Sequence, residues 1–221
     1  MDWYSILVLI HIFALVFWLG ADIGVFVLGK FAQNPIYTVE QRMLLMKVAM
    51  IIDIFPRVSM VVSFTTGYQL AVLLGALPNH LVFSFAVWLF SGFWLTIVLI
   101  GIFRQGLPLG ERAKSMEKLV HFGLIPALAL VSITSLIYLE PIAVPWMALK
   151  TLLYALVIVV VLLLEAAFMP AILGFVALEN HGTSAEVEAQ ITSGMDKTYI
   201  CVLMIYALVI SCAVLGVVKP A

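Results

Sequence analysis

Six apolar runs, each long enough to cross a bilayer as a helix, leave this chain few folds to choose from. A hydrocarbon core of about 30 Å takes about 20 helical residues at roughly 1.5 Å each. Such runs fall at 3–29, 43–75, 81–103, 117–139, 143–176 and 196–218. Hydrophobic residues make up 65% of the chain and charged ones 10%, with a mean hydropathy of +1.21, so water cannot be the solvent for most of this surface. The expected fold class is all-α: one polytopic membrane bundle of six transmembrane helices occupying 1–221.

A net charge of -1 and a pI near 6.4 give no basic field, and the aromatics sit inside apolar runs, so nucleic acid is excluded as a partner. The first run follows Met1-Asp2-Trp3-Tyr4 with an acidic residue where a secretion signal carries cations, and it is expected to stay as the first helix. Cys201 and Cys212 lie 11 residues apart in one expected helix, about 16 Å along its axis, too far for a disulfide.

The connection from Arg104 to Lys118 is charged and punctuated by glycine and proline, and Glu179 to Lys197 is polar; both read as surface segments. Lys30, Arg42, Lys47, Arg104, Arg112, Lys114, Lys118 and Lys197 fall on one side of the expected membrane and Lys219 on the other. The positive-inside rule makes the crowded side cytoplasmic and both termini non-cytoplasmic, as in a bacterial inner (plasma) membrane. Trp3, Tyr4 and Trp146 then sit at the outer interface, where amphipathic rings prefer to be. A faint repeat at an offset of 70 pairs Arg42 with Arg112, Met46 with Met116, Pro56 with Pro126, Val61 with Val131 and Tyr68 with Tyr138. It suggests two copies of a kinked hairpin.

An ionisable side chain in hydrocarbon costs roughly 2.5–3.5 kcal/mol, so each one needs a partner or a task. His11, Asp22, Asp53, Arg57, Lys150 and Glu165 fall inside the apolar runs. His11, Trp18 and Asp22 are spaced 7 and 4 apart and share one helix face. Gly20 and Gly24 lie on a neighbouring face, open either to a flat ligand or to ordinary helix packing. Asp53 and Arg57, one turn apart around Pro56, read as a self-neutralised pair bracing a kink, as catalytic groups, or, through the guanidinium fork, as an anchor for a carboxylate. Lys150 matches His11 in depth from the same face, or else snorkels outward; Glu165 reaches toward the opposite headgroups.

His80, His121 and His181 make no cage with His11, and no zinc spacing, phosphate loop or nucleophile motif occurs. Met43, Met46 and Met50 share a face that suits either core filling or Cu(I).

The pattern His11-x6-Trp18-x-Gly20 is similar to the opening helix of two related membrane families, the HemJ type of protoporphyrinogen oxidase and the CopD copper-resistance proteins. Trp146-x3-Lys150 resembles the Trp-x3-Lys segment of HemJ, and the layout of Met116 and Pro126 resembles the helix before it. The first-helix pattern also resembles a set of uncharacterised integral membrane proteins. The resemblance implies a bundle that binds haem b, with His11 as axial ligand and Lys150 functionally required. The leading expectation is therefore a haem protein for electron transfer, or for oxidation of a porphyrinogen- or quinol-like substrate. Lys150, Arg57 and Asp53 are its candidate catalytic residues, and His11, Trp18, Gly20, Gly24, Arg57 and Lys150 hold the cofactor. Its expected partners are the lipid bilayer, a quinone or redox protein, and copies of itself. Two rivals stand beside it: a copper-handling protein using the methionine face and the His11-to-Asp22 stripe, and a non-catalytic subunit of a larger membrane complex.

Overall fold

The structure, a computed structural model, describes residues 2–220. These form seven helices: α1 (Trp3–Gln33), α2 (Val39–Ile52), α3 (Ile54–Leu73), α4 (Leu81–Phe103), α5 (Pro108–Tyr138), α6 (Pro145–His181) and α7 (Ala185–Val218). The described residues contain no strand.

Local signals in the sequence set most of the boundaries. Asp2 caps α1 by accepting from the Ser5 amide at 2.8 Å. The capping box of Thr38 and Gln41 starts α2, and the Ser184 hydroxyl caps α7. Proline opens both α5 and α6, where its missing N–H is no loss. Gly182, at φ +77°, ends α6 in a backbone conformation that only glycine adopts readily. Hydrogen bonds from Ser5 hold the Asp2 carboxyl below the usual carboxylate range. Its cap is therefore present at neutral pH and lost as pH falls through that lowered value. Asp2→Ala is expected to fray the first turn, seen as faster amide exchange at Ser5 and Ile6 with the rest of α1 unchanged.

The second apolar run departs from the expected single span. It is divided at Asp53, which serves as C-cap of α2 and N-cap of α3. Pro56 lies in the first turn of α3 and cannot donate to the Ile52 carbonyl, so the helix breaks one turn ahead of it. The same residue type at Pro126 leaves α5 continuous. The other residues paired by the 70-residue offset also sit in different surroundings: Arg42 and Val61 are buried, whereas Arg112 and Tyr138 are exposed.

Six of the helices close a ring in the order α1, α3, α4, α5, α6, α7, and α2 lies across α1 and α6. The central core is made by Trp18, Met60, Val61, Trp94, Val98, Val157 and Ile205. The most extensive contact is between α6 and α7. It is close because Gly174 faces Ile191 and Gly194 faces Ala171 across the interface. Many large apolar side chains point outward instead, among them Phe13, Phe17, Leu89, Leu119, Leu163 and Leu203. α1, α4, α5, α6 and α7 are each long and apolar enough to cross a membrane. A lipid-facing outer surface on a multi-pass membrane bundle follows from these two facts.

Arg42, one of the cations expected on the cytoplasmic side, is 1% exposed. Its Nε donates to the Ala32 carbonyl at 2.7 Å, and its two terminal nitrogens donate to Glu188 at 2.6 and 2.9 Å. The fork thus ties the end of α1, the start of α2 and the start of α7 together.

Candidate functional site

The face shared by His11, Trp18 and Asp22 on α1 turns into the ring, with Trp18 buried and the other two half-buried. His11 meets α3. Its Nδ1 lies 2.8 Å from Thr66 Oγ1, and that hydroxyl is 2.7 Å from the Val62 carbonyl one turn back. A hydroxyl has one proton, and a carbonyl can only accept, so the proton goes to Val62 and His11 Nδ1 donates to Thr66. In the neutral ring this leaves Nε2 as a bare lone pair, the tautomer that ligates metals. Gly67 makes room beside the ring: a Cβ there would come 3.4 Å from His11 Cε1.

Lys150, near the start of α6, is the charged group that bears on His11. It is half-buried and has no ion pair or side-chain hydrogen bond among the described residues. Its ammonium lies against Gly216 of α7, where a Cβ would come within 3.1 Å, and its carbonyl accepts from Cys212 Sγ at 3.7 Å. The imidazole and the ammonium therefore share one end of the bundle, each beside a glycine.

Asp53 and Arg57 lie elsewhere. Arg57 Nε donates to Asp53 Oδ2 at 2.6 Å. Arg57 precedes Thr66 by nine residues on α3, about 13 Å along the axis, so the pair sits in the other half of the ring from His11. Around it lie Glu117 of α5 and Glu165 of α6, whose charges bear on Arg57 after that of Asp53. Lys118 reaches Glu165 at 3.4 Å. Asp22 is directed toward this group too: Asp53 and the Tyr206 hydroxyl of α7 are its polar neighbours.

The glycines on α1 divide differently from their expected use. Gly20 has open space beside it, Gly24 has only Ile52 at 3.9 Å, and the close approach on this helix is at Gly29, against Met195 and Tyr199 of α7. Met43 and Met46 pack against the α6–α7 core, whereas Met50 is exposed. His80 and His181 are exposed at helix ends.

His121 is the residue that spacing alone did not bring forward. It is fully buried, edge-on to Trp94 at 5.8 Å, and neither ring nitrogen has a hydrogen-bond partner. Its position one turn after Glu117 was the available signal. Among the described residues no group of three or more His, Cys, Asp and Glu side chains is placed to hold a metal ion, so a metal here would need a ligand from a cofactor or from another residue type. No family model, curated protein or solved structure matches the chain.

Proposed function

We propose that the chain is a haem b-binding membrane protein that transfers electrons or oxidises a hydrophobic substrate of porphyrinogen or quinol type. The observation that carries this reading is the tautomer of His11: with Nδ1 committed to Thr66, the ring offers Nε2 to iron. The donor chemistry fits the group. An imidazole lone pair suits iron, and the unpaired Lys150 ammonium at the same end suits a propionate or stands as a second ligand. Bound haem would supply one-electron chemistry in a medium that excludes water.

The residues themselves do the positioning. Thr66 fixes the plane and tautomer of His11, Gly67 and Gly216 let the imidazole and the ammonium lie close against α3 and α7, and Trp18 is part of the buried core. Arg57, expected as a propionate anchor, lies in the opposite half from His11 with its Nε on Asp53, so this reading leaves the propionate to Lys150.

In this reading α2 and α3 together make one crossing, giving six. The seven cations Lys30, Lys47, Arg104, Arg112, Lys114, Lys118 and Lys197 mark the cytoplasmic end. His11 and Lys150 then open toward the non-cytoplasmic side of a bacterial plasma membrane, within reach of a quinone or a redox protein.

Purified protein is expected to show a Soret band that shifts on dithionite addition and disappears in His11→Ala. Thr66→Val, which keeps the ring but frees its tautomer, is expected to weaken haem retention by about 10- to 100-fold. A colourless wild type, or a His11→Ala variant that keeps its full haem, rejects the proposal.

A further inference from the structure

The half of the ring away from His11 encloses four carboxyl groups, Asp22, Asp53, Glu117 and Glu165, against two cations, Arg57 and Lys118. Arg57 gives its Nε to Asp53 and Lys118 pairs with Glu165, and the charge of Arg57 also bears on Glu117. Lys114, on the same helix as Glu117, is paired with Glu111 at 3.0 Å. Glu117 is left over: it is 5% exposed and has no ion pair or hydrogen bond among the described residues. An ionised carboxylate at such a position lacks the donors that would replace its water shell, whereas the neutral acid needs far less.

One turn further along α5 stands His121, with 0% exposure and both ring nitrogens unbonded. The charged group that bears on it is Arg57 of α3, Trp94 of α4 packs against its edge with an indole Nε1 that is also buried without a partner, and Glu117 precedes it by one turn on its own helix. Buried polar atoms are almost always satisfied, by water where protein does not supply a partner. Three buried nitrogens without a partner, one helical turn from a carboxyl group with no ion pair, mark a place for a small, mobile, hydrogen-bonding guest. A metal cation is a poor candidate, because Arg57 already occupies the electrostatic centre of the cluster.

We infer that Glu117 and His121 form a proton-binding site, reached by water from the Lys118–Glu165 end of the bundle. A hydronium ion gives its proton to the Glu117 carboxylate, forming one O–H bond as one breaks. The proton then passes to one ring nitrogen of His121, and the N–H on the other nitrogen releases it. No electron moves, and the site operates whether or not haem binds at His11.

Infrared difference spectroscopy tests this on the full chain in phosphatidylcholine liposomes, stepped between about pH 5 and about pH 8, the range where imidazole and shifted carboxyl groups titrate. Wild type is expected to show a protonated-carboxyl C=O band that shifts in D₂O and vanishes in Glu117→Gln. His121→Gln should move its titration midpoint by a pH unit or more, a tenfold change in proton affinity, and Glu111→Gln should leave it in place. If Glu117→Gln does not fold, Glu117→Asp decides: the wild-type band should move in frequency in that variant and stay in place in Asp22→Asn. Absence of the band, its survival in folded Glu117→Gln, or its removal by sodium ions in place of protons overturns the inference.

Discussion

Gly194→Ala is expected to lower the thermal midpoint of the detergent-solubilised protein by roughly 2–12 °C, from the usual 1–3 kcal/mol of overpacking in a chain of this size. The new methyl group would sit 2.5 Å from the backbone nitrogen of Ala171, 2.9 Å from its Cβ and 3.0 Å from its Cα. Van der Waals contact needs about 3.5–4.0 Å, so α6 and α7 must part by about 1 Å. The obstacle is main chain inside a helix, which has no rotamer to change. Gly174 sits in the same interface, against Ile191, so a displacement at one glycine loosens the other. Gly20→Ala is the control. Nothing lies within 4 Å of that position, and the exchange should leave the midpoint the same or raise it slightly. Equal midpoints for the Gly194 and Gly20 variants would show that the close α6–α7 approach contributes nothing.

The second large effect is expected at Glu188. Glu188→Ala leaves the Arg42 guanidinium buried with only carbonyl acceptors, at Ala32 and, more weakly at 3.5 Å, at Gln33. Breaking a buried pair on one side typically destabilises by about 3 kcal/mol or more. Glu188 is partly exposed, so water offsets some of this and about 2–3 kcal/mol is the expected loss. Arg42→Met with Glu188→Leu removes both charges and should recover most of that loss, since an apolar replacement of the whole pair is often neutral. Equilibrium unfolding in detergent with a chaotrope reads all three. A double variant no better than Glu188→Ala would mean that the fork acts through its backbone contacts alone.

How far the sequence carries can be judged at particular residues. The apolar runs located five of the helices, because bilayer thickness demands about 20 apolar residues for each crossing. They did not give all of the ends: α5 begins at Pro108 and α7 at Ala185, inside segments expected to be surface connections, since a helix runs on through polar sequence to a proline or a cap. The second run was harder. Pro56 signalled a distortion, but only packing decides between a bent helix and a broken one, and the same residue type at Pro126 does not break α5. The helical period correctly turned the His11–Trp18–Asp22 face inward, since three positions within about 20° of one another share an environment. What it could not supply was the partner: Thr66 is one of many hydroxyls in apolar runs, and its choice of His11 depends on how α1 docks on α3. The partner of Arg42 was hidden for a related reason. A cation near a helix start reads as surface unless one knows that Glu188, 146 residues later, returns to meet it. His121 went unrecognised because burial is a property of neighbours, and nothing local to it announces Trp94.

Most hydroxyl groups in these helices bond back to a carbonyl of their own helix: Thr65, Ser91, Thr96, Ser132, Thr151, Thr198 and Ser211 all reach four residues behind. Polar fastenings between helices are therefore few, and they are unevenly shared. α3 is tied to α1 through His11, to α4 through Tyr68–Ser84 and Gln69–Trp88, and to α6 through Tyr154 and the Met60 carbonyl. Among the described residues α5 has one such tie to another helix, Lys118 to Glu165 at the bundle's end. The ring thus has a fixed post and a hinged panel. A sideways shift of α5 breaks no interhelical hydrogen bond except at that rim, so apolar packing against α4 and α6 alone holds the helix carrying Glu117 and His121 in register.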